Sequence, residues 1–374
     1  MNSQQWIVRV VAVIVIMGSI YMLTQHRFFE STPSPTEDSP EATTHPVPTA
    51  PTYSQVQSSP PDGPKAHLQE LTSRIATAAN LAAARQEVAR SLKSGIDSHR
   101  ITLTDLQSAI LDSKLPVEAR IIFAEAIIGF LAEEAEQLDV SALSQALEAV
   151  ESPLLAARMI DLLGLTQEPE ALPAIREKCT MEAENVRLSG VQAAKGIPTT
   201  AAAEFLVDCT ADPDFYRVRI QAMHGVAKHT FASNPVSTIL DAVWNERERT
   251  EADTPSGQSP NLNRQLIAVA ATKALATIDD PQAVSFLVDE MLNTENVDTV
   301  RMSAADALAQ HKGEPVASAL LQAIEEPNEA VRLHAARSLS KVFGNKYASQ
   351  LAAARDASSD PYVVKQISEI LESD

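Results

Sequence analysis

Eight histidines and two cysteines are the side chains of this 374-residue chain best suited to ligate a metal or attack a carbonyl. Their spacing argues against both. His224 and His229 are five residues apart, so a helix does not bring them to one face, and no HExxH segment exists to hold a zinc-activated water. His311 and His334 fall in different sequence repeats. Cys179 and Cys209, thirty residues apart, fit no four-ligand zinc pattern, and nothing in the sequence pairs either with a histidine base. Two readings of the cysteines stand. A disulfide is permitted if the body is exported, whereas helices stacked about 8–10 Å apart exceed the reach of about 7 Å that the bond tolerates. No catalytic residue, metal or cofactor is assigned.

The arginines are more regular. The segments NVRLSGVQAAKGI (185–197), YRVRIQAMHGVA (216–227), TVRMSAADALAQ (299–310) and AVRLHAARSLSK (330–341) place Arg187, Arg219, Arg301 and Arg332 at matching positions, in steps of 32, 82 and 31 residues. The long step contains a degenerate copy, LIAVAATKALAT (266–277), in which Ala268 replaces the arginine, and a polar insertion at 245–261. A final copy, YVVKQISEILES, keeps the spacing, so that Leu308, Leu339 and Leu371 follow one another at 31 and 32 residues. Glu184, Asp298 and Glu329 each precede an arginine by three residues. That spacing predicts acid–arginine pairs within one helix and acids near the positive end of its dipole. The arginines read as structural ties between turns, with an anion or partner site as the second reading.

These positions need helices to carry them. Apolar residues recur every three to four positions in each segment, and a second helix recurs between such segments at 168–179, 199–209, 280–291 and 314–325. Several of the second helices open with proline, whose missing N–H is harmless in a first turn. Residues 68–95 predict one long helix ending at Gly95, and 102–112 a short one. No run of alternating β-branched residues appears, so the fold class is all-α. A two-helix unit cannot bury its apolar faces alone, and stacking on neighbours gives a right-handed superhelical solenoid. Alanines such as Ala304, Ala305, Ala335 and Ala336 let the helices approach, and Leu308 and Leu339 fill the space between layers.

The xVRxxAAxAL helix followed by a proline-bearing partner resembles the HEAT-like repeats of bacterial and cyanobacterial proteins, including the type found in phycobiliprotein lyases. The resemblance covers roughly residues 116–374 and implies protein binding and scaffolding. Lyase-like members act on bilin attachment, but no residue here matches a bilin pocket. HEAT-like iron hydroxylases use paired His-Glu motifs, and this chain contains no His-Glu dipeptide.

Composition and the N-terminal third complete the expectations. With 49 acids against 30 Lys plus Arg, a net charge of −19 and only 4% aromatics, a nucleic-acid surface over the whole fold is not expected, and a basic protein or peptide partner is. The uncharged run at 10–23, extended to Trp6, predicts a transmembrane signal anchor over residues 6–23 within a unit at 1–27. Residues 28–64 lack Lys and Arg, and nine prolines fall at 31–64, which predicts a disordered linker. Residues 65–115 read as a helical cap or atypical repeats ahead of the solenoid at 116–374. The resulting expectation is a single-pass inner-membrane scaffold or adaptor with its solenoid in the periplasm and Trp244 as a possible partner contact. An accessory or lyase-type enzyme and a purely structural envelope protein are the alternatives.

Overall fold

The computed structural model describes residues 63–250 and 259–373, and every regular element among them is helical. The chain begins with α1 (Pro64–Thr77), α2 (Leu81–Asp97), α3 (Leu103–Leu111) and α4 (Val117–Phe130). Where one helix is predicted over 68–95, two form. Asn80 divides them: its backbone is extended and its side chain accepts the Ala83 N–H, which starts α2 afresh. Nor does Gly95 end a helix. It lies inside α2, where a Cβ would stand 2.5 Å from Ile101 Cδ1, so it admits the returning chain. Helix α3 starts from a capping box in which Thr102 and Asp105 each accept the other's backbone N–H.

A paired pattern follows. It comprises α5 (Val140–Glu148), α6 (Pro153–Thr166), α7 (Leu172–Lys178), α8 (Glu184–Ala194), α9 (Thr200–Thr210), α10 (Tyr216–Val226) and α11 (Val236–Glu248). It continues with α12 (Pro260–Leu275), α13 (Pro281–Leu292), α14 (Asp298–Leu308), α15 (Glu314–Ile324), α16 (Glu329–Phe343), α17 (Ala348–Ala357) and α18 (Pro361–Ser373). Ser152, Thr199, Asp280 and Asn328 cap helices in this set, and Pro153 and Pro281 sit in first turns. The predicted polar insertion at 245–261 is shorter than expected, since α11 runs to Glu248 and α12 starts at Pro260. Residues 251–258 lie outside the described residues.

Two rows result. The even-numbered helices from α2 to α18 stack each on the next, and the odd-numbered helices from α3 form a second row beside them. One step of the second row is the sparsest, which makes it the open one: α11 and α13 approach each other's backbone less than the helices of the other steps do. Side chains bridge it instead, with the Trp244 ring edge-on to Phe286 at 6.4 Å and Arg247 paired with Glu290.

The core runs as one apolar cluster from Leu68 to Ile367. Leu308, Leu339, Ala304, Ala305, Ala335 and Ala336 are all fully buried, which is how small and large residues share a closely spaced stack. Leu371 is only half-buried, because no further helix among the described residues covers α18. The body is an all-α, HEAT-like solenoid.

The segment at 6–23 and the linker up to residue 62 lie outside the described residues, and Pro64, expected in the linker, is the first residue of α1. No helix among the described residues is long and apolar enough to cross a membrane. The longest, α2, has 17 residues and carries Arg85, Glu87, Arg90 and Lys93, whereas a span needs about 20 largely apolar residues. The signal anchor, the membrane as a partner and the inner-membrane placement with a periplasmic solenoid therefore have no structural support.

Candidate protein-contact surface

Each repeated arginine sits on an even-numbered helix and reaches back to the C-terminal end of the preceding odd-numbered one. Arg187 donates to the Met181 carbonyl, Arg219 to Asp212, Arg301 to Met291 and Arg332 to Ile324. Met291 and Ile324 lie in the last turns of their helices, where the negative carbonyl end favours a guanidinium, and Met181 and Asp212 lie in the turns just beyond theirs. Three of the arginines also reach forward to an acid of the next odd-numbered helix or the turn after it. Arg187 pairs with Asp212 at 2.8 Å and Asp214 at 2.9 Å, Arg219 with Glu246 at 2.5 Å, and Arg301 with Glu326. The predicted pairing three residues apart occurs only at Arg332, with Glu329 at 2.8 Å. Glu184 instead faces Arg217 at 3.9 Å. The acids that matter are 25–27 residues downstream, a distance no helical spacing rule covers.

Two further arginines belong to this set. Arg120 donates to the Ile110 carbonyl at 2.6 Å. In the degenerate copy, Arg264 takes the place that Ala268 leaves open, with bonds to the Glu246 and Arg249 carbonyls. The sequence held the signal: an arginine one helical turn before the expected position lies on the same face.

Cys179 and Cys209 are both free thiols. Burial pushes the Cys179 thiol up to about 12 and raises Cys209 as well, so neither carries thiolate character at neutral pH. Cys179 packs where a side chain at Gly190 would collide with its Sγ.

Trp244 is 48% exposed, with the Arg247 guanidinium 4.6 Å from its ring centre. The arginine covers one face of the ring and Phe286 meets it edge-on, so the indole helps to close the open step.

The outward polar positions of the even-numbered row connect one helix to the next. Arg158 on α6 meets Glu125 on α4 at 3.3 Å, and His334 on α16 meets Asp306 on α14 at 2.8 Å. Arg337 on α16 donates to Gln366 on α18 at 2.5 Å. In the middle of the row the residues change. Here lie Gln192, Lys195, Gln221, His224, Lys228, His229 and Lys273. Lys195 reaches Gln192 at 3.2 Å and Gln221 at 3.3 Å, and among the described residues Lys195, Lys228 and Lys273 form no ion pair. Burial lowers His224, and the charges acting on it are Lys273, Lys195 and Lys228. Burial and then Lys228 lower Lys195.

A cleft of about 360 Å³ lies elsewhere, lined by residues that include His67, Ser91, Ser98, His99 and Arg100. Ser91 Oγ stands 3.4 Å from His67 Nε2, a loose contact. Among the described residues no group of His, Cys, Asp or Glu is placed to hold a metal ion.

The paired rows form a HEAT-like solenoid, and a family model described as HEAT repeats matches residues 140–227 and 300–372. The unmatched stretch between them holds the open step and the degenerate arginine position. Among solved structures, human deoxyhypusine hydroxylase in complex with glycerol shares 18% identity over 76% of this chain and 96% of that one, with a TM-score of 0.28. A likeness that weak carries no argument. No curated protein sequence matches the chain.

Proposed function

We propose that the described body is a binding platform for protein segments, which lie along the outward face of the even-numbered row, and that it performs no chemistry of its own. The observation that carries this is the division of labour between its charges. Most of the repeated arginines are spent inside, on helix ends and buried acids, while the outward positions form a polar track from α4 to α18. Stacked repeats of this kind offer extended contact surfaces.

A photo-crosslinking amino acid tests it. Placed at the exposed Gln192 or Asp306 of the track, it is expected to trap a reproducible protein partner in cell extract; at Gln350 of α17 it is expected to trap none. Trapping only at Gln350, or at none of the three, would overturn the reading.

A further inference from the structure

The platform has one stretch whose charge runs against the rest of the molecule. In a chain of net charge −19, three lysines from the consecutive even-numbered helices α8, α10 and α12, or from the turns that end them, gather around His224 with no carboxylate partner among the described residues. We propose that Lys195, Lys228 and Lys273, with His224 and His229 among them, form a docking face for an acidic peptide segment whose carboxylates cross the three helices. This rests on the platform reading above and names the chemistry of its occupant.

Lys195 is positioned rather than loose. Its stem crosses α10 at Gly225, where a Cβ would stand 2.7 Å from Lys195 Cγ, and its ammonium touches only the neutral oxygens of Gln192 and Gln221. The His229 ring lies beside the Lys195 backbone, and its Nε2 is buried with no partner among the described residues. Lys228 and Lys273 are exposed. Helices in a row repeat at about 8–10 Å. An extended peptide advances about 3.3 Å per residue, so an acid at every third position meets one helix after another.

The flanking steps limit the occupant. Asp161 on α6 and Asp306 on α14 hold the positions that Gln192, His224 and Lys273 hold between them, so the favourable field spans three helices only. A nucleic acid would have to cross the surrounding negative surface. A phosphate group would be read best by a bidentate arginine fork, and the repeated arginines are already engaged with carbonyls and acids. A short run of spaced carboxylates answers to both limits.

Fluorescence anisotropy with the full chain tests this. The probe is a labelled peptide with Glu at every third position among Gly and Ser, and the reference carries Gln instead. The Glu peptide is expected to bind, more weakly as salt rises, and the Gln peptide is expected not to. The double variant K228E/K273E, at two exposed positions, is expected to keep its melting profile and to bind the Glu peptide at least about tenfold more weakly. Equal binding by the variant, equal binding of the Gln peptide, or displacement by inorganic phosphate or single-stranded DNA at concentrations equal to the probe would overturn the assignment. If crosslinks at Gln192 and Asp306 persist while the peptide result fails, this inference alone falls; if both fail, so does the platform.

Discussion

The arginines of the repeats and the lysines of the central track carry the same charge and live by opposite rules. Arg219 is almost fully buried between the Asp212 carbonyl and the Glu246 carboxylate, and its relatives at Arg301 and Arg332 are equally enclosed. Among the described residues, Lys195, Lys228 and Lys273 meet no acid. A guanidinium presents a planar fork that satisfies a carbonyl and a carboxylate together, so it can be buried as a joint. An ammonium on a flexible stem suits a surface where the counter-charge arrives from outside. In this molecule, the choice of cation separates what holds the stack together from what it offers.

The sharpest way to break the comparison is to remove a buried acid. Glu246→Ala leaves Arg219 charged and unpaired, and is expected to cost about 3–5 kcal/mol in denaturant unfolding. Arg264→Ala comes next. It uncaps the end of α11 and is expected to cost about 1.5–3 kcal/mol by the same measurement, which a merely decorative arginine would not.

Acidity probes the lysine side. His224 is held below the ordinary histidine value of 6.5 by burial and by Lys273, Lys195 and Lys228. The unfolded chain therefore takes up the proton first as pH falls, and stability contributed by the neutral ring is lost below about pH 6.5. Melting temperature is expected to drop over that window, and His224→Gln to flatten the drop. The smallest effect closes the series. Lys228→Gln with Lys273→Gln is expected to change stability by no more than about 0.5 kcal/mol, because no intramolecular partner is lost. A large loss would mean that these lysines are joints after all.

Much of the architecture was legible in the sequence because one spacing repeats. The arginine and leucine registers placed α8, α10, α14 and α16 within a residue or two at their starts, and the alanines marked the close contacts. Other features depended on distance. Nothing local says that Arg187 meets Asp212 rather than Glu184, since that choice is made when the following odd-numbered helix packs. The break at Asn80 was hidden by alanine-rich neighbours with strong helix propensity on both sides. The lysine cluster comes from three separate segments, and only the register of the repeats shows that His224 and Lys273 hold the same position. The membrane anchor was inferred from hydropathy at residues 6–23, and the described helices give it no support.

The open step between α11 and α13 has a consequence for how the body comes apart. Among the described helices the odd-numbered row is thinnest here, where Trp244, Phe286 and the Arg247–Glu290 pair bridge the step. A linear array parts where its nearest-neighbour coupling is weakest. Amide exchange is therefore expected to reach this seam before it reaches the segments on either side.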